Sequence, residues 1–293
     1  MIKIQFPLIS ADNDYPLLFA SFFTKNGVKI GGALLVDTAS KHNILNWKLF
    51  GLLYNPSQKF SGDIALTSFC GVNVKAYKIR FCFSVNGISF EEDFYVSKDV
   101  GLDYVYENHI IVGIIGVDFL RKYRLSLDFV QGSLVSTGQK LENICKLPLQ
   151  YGFSKYGVPV IIVNNRGRTF GCFLDSGSCF NITTRFVLDS YDICHTQITK
   201  GQSFKSITRT VEADETRAKI ELVGMDYKSR VHVKYSFDEM FQIMKEDYHI
   251  INGSDGVPPI SMILGVLFLK KNGCVIDFDK EYLYILNSTN TFH

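Results

Sequence analysis

The chain repeats itself, and the repeat limits what it can fold into more than any other feature. Ala33 to Leu45 reads ALLVDTASKHNIL, an apolar run that delivers Asp37 into a turn of small hydroxyl residues; Gly171 to Thr183 reads GCFLDSGSCFNIT, with Asp175 in the matching place. A second pair of blocks follows. Ile114 to Ser136, IIGVDFLRKYRLSLDFVQGSLVS, aligns without a gap on Ile263 to Ile285, ILGVLFLKKNGCVIDFDKEYLYI. FPLIS before Tyr15 and LPLQY before Val158 echo each other as well. A repeat of this length signals two copies of one folding unit. Residues 138–157 join the copies, and a break at 143/144 gives one unit of 1–143 carrying Asp37 and another of 144–293 carrying Asp175.

Within each copy the local signals are those of short strands and tight turns. Pro16–Thr24 and Val28–Val36 form a hairpin around Asn26–Gly27, a pair that tolerates positive φ. Asn46–Leu53 reads as a short helix, with the lone Trp47 in core or on the lobe surface. Ile64–Val96 is a β-meander with turns at Cys70–Asn73 and Val85–Ile88. Ile110–Ile115 is a buried strand running into Gly116, and Val117–Tyr123 a short helix whose positive end suits Asp118 as a cap. Asp128 and Asp277, each followed by Phe, read as structural. Pro7 makes Ile2–Ile9 an edge or interface strand, and Ile144–Leu149 supplies another. Val160–Asn164 and Thr169–Leu174 begin the second copy. Its middle region is charged and reads as irregular, with Glu212, Asp214 and Glu215 in a solvated loop rather than a calcium loop.

Composition closes off several functions. The 31 basic and 29 acidic residues are scattered, leaving a net charge of +2 and no basic block for nucleic acid. With 46% hydrophobic residues the chain has ample core material, yet no apolar run approaches the ~20 residues that span a bilayer. The seven cysteines are odd in number and lack CxxC spacing, so neither a disulfide framework nor zinc is indicated. Cys172 and Cys179 read as buried small hydrophobes rather than redox groups. A reducing, cytoplasmic setting follows, with export left open. Asn181, Asn252 and Asn287 begin NxS/T triplets that matter only in a secreted protein. Nothing matches a P-loop, GxGxxG or HExxH, and Ser178 does not sit in a GxSxG elbow.

An apolar strand, an Asp-Thr/Ser-small-Ser turn and a distal ILG run entering a helix resemble the aspartic proteases of the retropepsin and pepsin type, over nearly the whole chain. DSGS at Asp175 follows that pattern fully, whereas DTAS at Asp37 has Ala39 where Gly is usual. The resemblance implies an all-β-dominated, two-lobed acid-protease fold with a short helix after each ILG-type strand. It implies that Asp37 and Asp175 meet between the lobes, share a proton and activate a water for peptide hydrolysis, without metal or other cofactor. Thr38 and Ser176 brace the turns, Ala39 and Gly177 offer backbone N–H groups, and the Ser40 and Ser178 hydroxyls are placed to donate to the carboxylates, which predicts an acidic optimum. Thr67–Tyr77 takes the place of a flap over an extended peptide substrate, with Phe69, Cys70, Gly71, Val72 and Tyr77 near its tip and shoulder; the irregular second copy makes closure one-sided. A monomer is expected. Two alternatives share the fold: a peptide-binding pseudoprotease, and a structural domain whose cleft is plugged by Lys200–Asp226.

Overall fold

The computed structural model describes residues 5–8, 15–53, 61–67, 73–98, 105–106, 109–136, 145–149, 157–205, 210–222, 225–234 and 260–286. The N-terminal half runs β1 (Gln5–Pro7), β2 (Leu17–Phe23), β3 (Lys29–Val36), β4 (Ile44–Leu45), α1 (Trp47–Leu53), β5 (Ser61–Thr67), β6 (Asn73–Val85), β7 (Ile88–Val96), β8 (Val105–Tyr106), β9 (His109–Ile115), α2 (Val117–Lys122), β10 (Leu125–Asp128) and β11 (Ser133–Ser136). After β12 (Cys145–Pro148) the plan returns as β13 (Val160–Asn165), β14 (Arg168–Asp175), β15 (Asn181–Thr184), α3 (Arg185–Ser190), β16 (Cys194–His195), β17 (Thr199–Lys205), β18 (Thr210–Leu222), β19 (Met225–Lys234), β20 (Ile260–Gly265), α4 (Val266–Lys271), β21 (Cys274–Asp277) and β22 (Tyr282–Ile285).

Each half makes an eight-stranded sheet of the same order. The first is β2-β3-β9-β4-β7-β6-β5, with β8 on β9, curled so that β2 also pairs with β6; the second is β13-β14-β20-β15-β19-β18-β16, with β17 on β18. The β2–β3 hairpin turns at Lys25–Gly27. There Gly27 alone takes a positive φ of 76°, in a three-residue loop closed by Thr24 N donating to Val28 O at 2.8 Å. Inward-facing aromatics fill the first barrel, where Phe83 lies 5.4 Å from Phe90 and 5.7 Å from Phe94, and Phe90 lies 5.3 Å from Phe119. Rings at these separations add edge and stacking attraction to the burial of large apolar area.

A third sheet joins the halves in the order β1-β11-β10-β21-β22-β12. Its centre is the antiparallel β10–β21 pair, in which Leu127 faces Ile276, flanked by Ser126–Asp277 and Asp128–Val275. Those residues are equivalents in the gapless repeat, so the copies meet about a local two-fold axis through Leu127 and Ile276. Both expected interface strands are present, as β1 and β12 at the two edges. Asp128 and Asp277 are structural: each accepts two backbone N–H groups from the turn that follows, at 2.8 and 2.9 Å for Asp128 and 3.0 Å twice for Asp277.

The middle of the second copy corrects the expectation of irregularity. Residues β17, β18 and β19 are strands of 7, 13 and 10 residues, paired in register from Asp214–Val233 to Leu222–Met225. The described residues of this stretch, 200–205, 210–222 and 225–226, are therefore built into the sheet rather than free to act as a plug. Glu212, Asp214 and Glu215 lie on β18 and not in a loop, with Asp214 buried; among the described residues no cluster of His, Cys, Asp and Glu is placed to hold a metal.

Candidate active site

Two turns of identical backbone plan carry the aspartates. Asp37 leaves β3 with its N–H bonded to Ile115 O at 3.0 Å, and its Oδ1 accepts the Ala39 N–H at 2.8 Å. Opposite it, Asp175 Oδ1 accepts the Gly177 N–H at 2.9 Å. Each turn rests on the helix that follows an ILG-type strand: Val117 N donates to Ser40 O and Val266 N to Ser178 O, both at 2.8 Å. The glycine of that run is required by contact. A Cβ on Gly116 would sit 2.5 Å from His42 O, and one on Gly265 2.4 Å from Phe180 O.

Two buried asparagines complete the support and carried no functional signal in the sequence. Asn43 Oδ1 accepts Gly116 N–H and Asn181 Oδ1 accepts Gly265 N–H, each at 3.0 Å. Their shared offset from Asp37 and Asp175 was the available clue. Asn181, which opens an NxT triplet, is fully buried; Asn252 and Asn287 lie outside the described residues.

The turns are then locked to each other. Thr38 Oγ1 donates to Leu174 O at 2.6 Å and accepts Ser176 N–H at 2.9 Å, while Ser176 Oγ donates to Val36 O at 2.6 Å and accepts Thr38 N–H at 3.0 Å. Four reciprocal bonds between two side chains of zero exposure hold the strand ends at fixed separation. The expected bracing by Thr38 and Ser176 is what the geometry contains.

Across that lock the Asp37 carboxyl lies against Gly177 of the opposite turn, near enough for the two aspartates to shift each other's pKa. Burial raises the pKa of Asp37, opposed by the backbone N–H groups of Ala39 and Ser40 and by the bond from Asp175. Asp175 is pushed well above the ordinary carboxylate range, first by burial and then by the Asp37 charge, against the N–H groups of Gly177 and Ser178. Both shifts favour a pair that keeps one proton between its two carboxyls. Room is tight on one side. A Cβ on Gly177 would lie 2.5 Å from Asp37 Cγ, whereas Ala39 is exposed, needs no positive φ and retains its N–H bond.

Other expectations fall differently. The Ser40 and Ser178 hydroxyls do not donate to the carboxylates; they donate to His42 O at 2.8 Å and Phe180 O at 3.1 Å. The serine N–H groups donate to the backbone carbonyls of Asp37 and Asp175, at 3.3 Å in each turn, and each hydroxyl spends its one proton closing its own turn. Asp118 makes no side-chain cap on α2, and accepts instead from His42 Nδ1 at 2.8 Å. Tyr77 lies half-buried on β6 with Lys75 Nζ 5.5 Å from its ring centroid. Phe69, Cys70, Gly71 and Val72 lie outside the described residues, although the β5–β6 pairing from Ser61–Lys78 to Thr67–Asn73 leads up to them. Cys172 is wholly buried, which pushes its thiol pKa up, while Cys179 is half-buried.

Among solved structures, the chain is similar to the aspartic proteinase from Irpex lacteus, with a TM-score of 0.55 over 99% of this chain and 99% of that one. Its fold is that of a pepsin-like aspartic proteinase. Sequence identity to that structure is 12%, so the likeness is one of fold. No family model matches the sequence, and no curated protein does. No helix among the described residues is long and apolar enough to cross a membrane.

Proposed function

We propose that the chain is an aspartic endopeptidase, made of lobes 1–143 and 144–293, in which Asp37 and Asp175 hydrolyse a peptide bond with an activated water. The observation that carries this reading is the reciprocal Thr38 and Ser176 lock, which sets the Asp37 carboxyl against Gly177 of the Asp175 turn. Two like charges this close cannot both form cheaply, so the pair keeps one proton; aspartic proteases are the standing example of such coupling. One aspartate of the pair holds that proton and the other is ionised.

From that state the chemistry balances without a metal. The ionised aspartate takes a proton from water as the oxygen bonds to the scissile carbon, and the protonated one gives its proton to the carbonyl oxygen. In collapse, the tetrahedral hydroxyl returns a proton to the aspartate that gave it, the C–N bond breaks, and the amine leaves with the proton held by the other. The substrate is an extended peptide between the lobes, and the segment Thr67–Tyr77, with Phe69, Cys70, Gly71, Val72 and Tyr77, is the proposed flap. A monomer suffices, since both aspartates lie in one chain.

The test is cleavage of a mixed peptide library read by mass spectrometry, with Asp37→Asn and Asp175→Asn as controls. Cleavage by the wild type that both variants lose supports the reading; equal cleavage by a variant and the wild type removes it.

A further inference from the structure

We propose that the His42–Asp118 pair is a latch that positions the Asp37 turn, a device the Asp175 turn lacks. This rests on the hydrolase reading for its effect on rate, but not for its effect on structure. His42 Nδ1 meets Asp118 Oδ2 at 2.8 Å, joining the end of the turn to the first residues of α2. The ring also packs on Tyr95, with centroids 4.6 Å apart, and Tyr95 N donates to Asn43 O at 2.9 Å. The groups that face His42 are therefore Asp118 from α2 and Tyr95 from β7, with Lys41 beside it in the chain.

The latch acts on the aspartate through a short path. His42 O is the acceptor for the Ser40 hydroxyl at 2.8 Å, and Ser40 N–H is one of the groups that lowers the Asp37 pKa against burial. Lys41 O accepts Asp118 N–H at 2.9 Å, so side chain and backbone of Asp118 clamp the same segment. In the other copy every backbone bond of this path recurs, Ser178 Oγ to Phe180 O at 3.1 Å and Leu267 N to Cys179 O at 3.2 Å. The side chains do not: Phe180 and Leu267 stand where His42 and Asp118 do. One turn is held by a charge-assisted hydrogen bond, which is directional, and the other has apolar side chains at both places, which cannot form one. His42 and Asp118 are positioning residues, since neither needs to touch substrate.

The experiment compares His42→Phe, Asp118→Leu, the double variant and Asp118→Asn, with two readouts on the whole chain. In peptide turnover, each apolar single variant is expected to lower kcat about tenfold with KM within about twofold, as misplacement of a reacting group does. The double variant, which imports the pair used opposite, should recover most of that loss, and Asp118→Asn, which retains an acceptor oxygen, should stay within about threefold of wild type. In amide hydrogen exchange, the single variants should speed exchange at Ala39 and Ser40 while Gly177 and Ser178 stay as in the wild type. Unchanged exchange at Ala39 and Ser40, or an equal rise in both turns, overturns the latch. If the wild type cleaves no peptide, the hydrolase reading falls while exchange still decides the latch.

Discussion

The turn at Asp37 and the turn at Asp175 share a backbone and differ in what surrounds it. Both bond their carboxyl to the N–H two residues on, both rest on a helix through a serine carbonyl, and both donate a serine hydroxyl to the residue after next. Yet the first accommodates the methyl of Ala39 and carries the His42–Asp118 pair, whereas the second leaves no space for a Cβ at Gly177 and is flanked by Phe180 and Leu267. The lattice of backbone bonds defines the site, and the side chains around it divide the roles.

The largest effect that tests the comparison is the double change Asp37→Asn with Asp175→Asn. Each alone should cost roughly 10²- to 10⁴-fold in turnover, and the pair no more than the worse single, because members of one catalytic unit fail together. Multiplying losses, seen in kcat/KM of the three variants, would mean two independent sites. Next comes Gly177→Ala. Its Cβ would collide with the Asp37 carboxyl, and turnover should fall about 10²-fold through misplacement while urea unfolding shows a loss of about 1–3 kcal/mol from overpacking. A fully active, stable Gly177→Ala protein would show the two turns to be interchangeable in the space they offer.

Thr38→Val removes one of the two locking hydroxyls and leaves Leu174 O and Ser176 N–H without their partner. A loss of about 1–3 kcal/mol per orphaned group is expected in denaturant unfolding, and Ser176→Ala should match it if the lock is symmetric. Asp175→Asn probes charge directly. The folded carboxyl keeps its proton above the ordinary value of 3.8, so the folded state binds more protons than the unfolded one and stability falls as pH rises through that window. The asparagine variant should melt higher than wild type at neutral pH, with the gap closing below the ordinary carboxylate range. A lower Tm at neutral pH would contradict the raised pKa. Smallest is Ala39→Gly: the methyl is exposed and the N–H bond is already made, so turnover should change less than about threefold, and a gain of tenfold or more would mean that the methyl strains the site.

Much of this was legible because the repeat fixes topology. Gapless blocks at 114–136 and 263–285 imply matched strands and helices, and the β10–β21 pairing about Leu127 and Ile276 is their natural meeting. Pro7 marked β1 as an edge, and Gly27 marked the first hairpin. What escaped were short-range choices among hydrogen-bond partners. Ser40 and Ser178 had a carboxylate and a carbonyl in reach, and only coordinates decide between them. Asn181 stood out only as the start of an NxT triplet and Asn43 only as part of the repeated block, although both anchor the glycine beneath the turn. Strand β18 was hidden by its composition. Its inward side carries Thr216, Ala218 and Ile220, with Arg217 facing out, so small and polar residues replace the β-branched apolar alternation that signals a half-buried strand.

The most direct measurement is a peptide-library digest by the wild type and by Asp175→Asn, followed from acid to neutral pH with thermal unfolding of both proteins recorded alongside. The account expects the wild type to cut, with activity falling toward neutral pH as the shared proton is lost, and the folded asparagine variant to cut nothing. A folded wild type that binds extended peptides and cleaves none at any pH would contradict it, and would leave the chain a peptide-binding pseudoprotease.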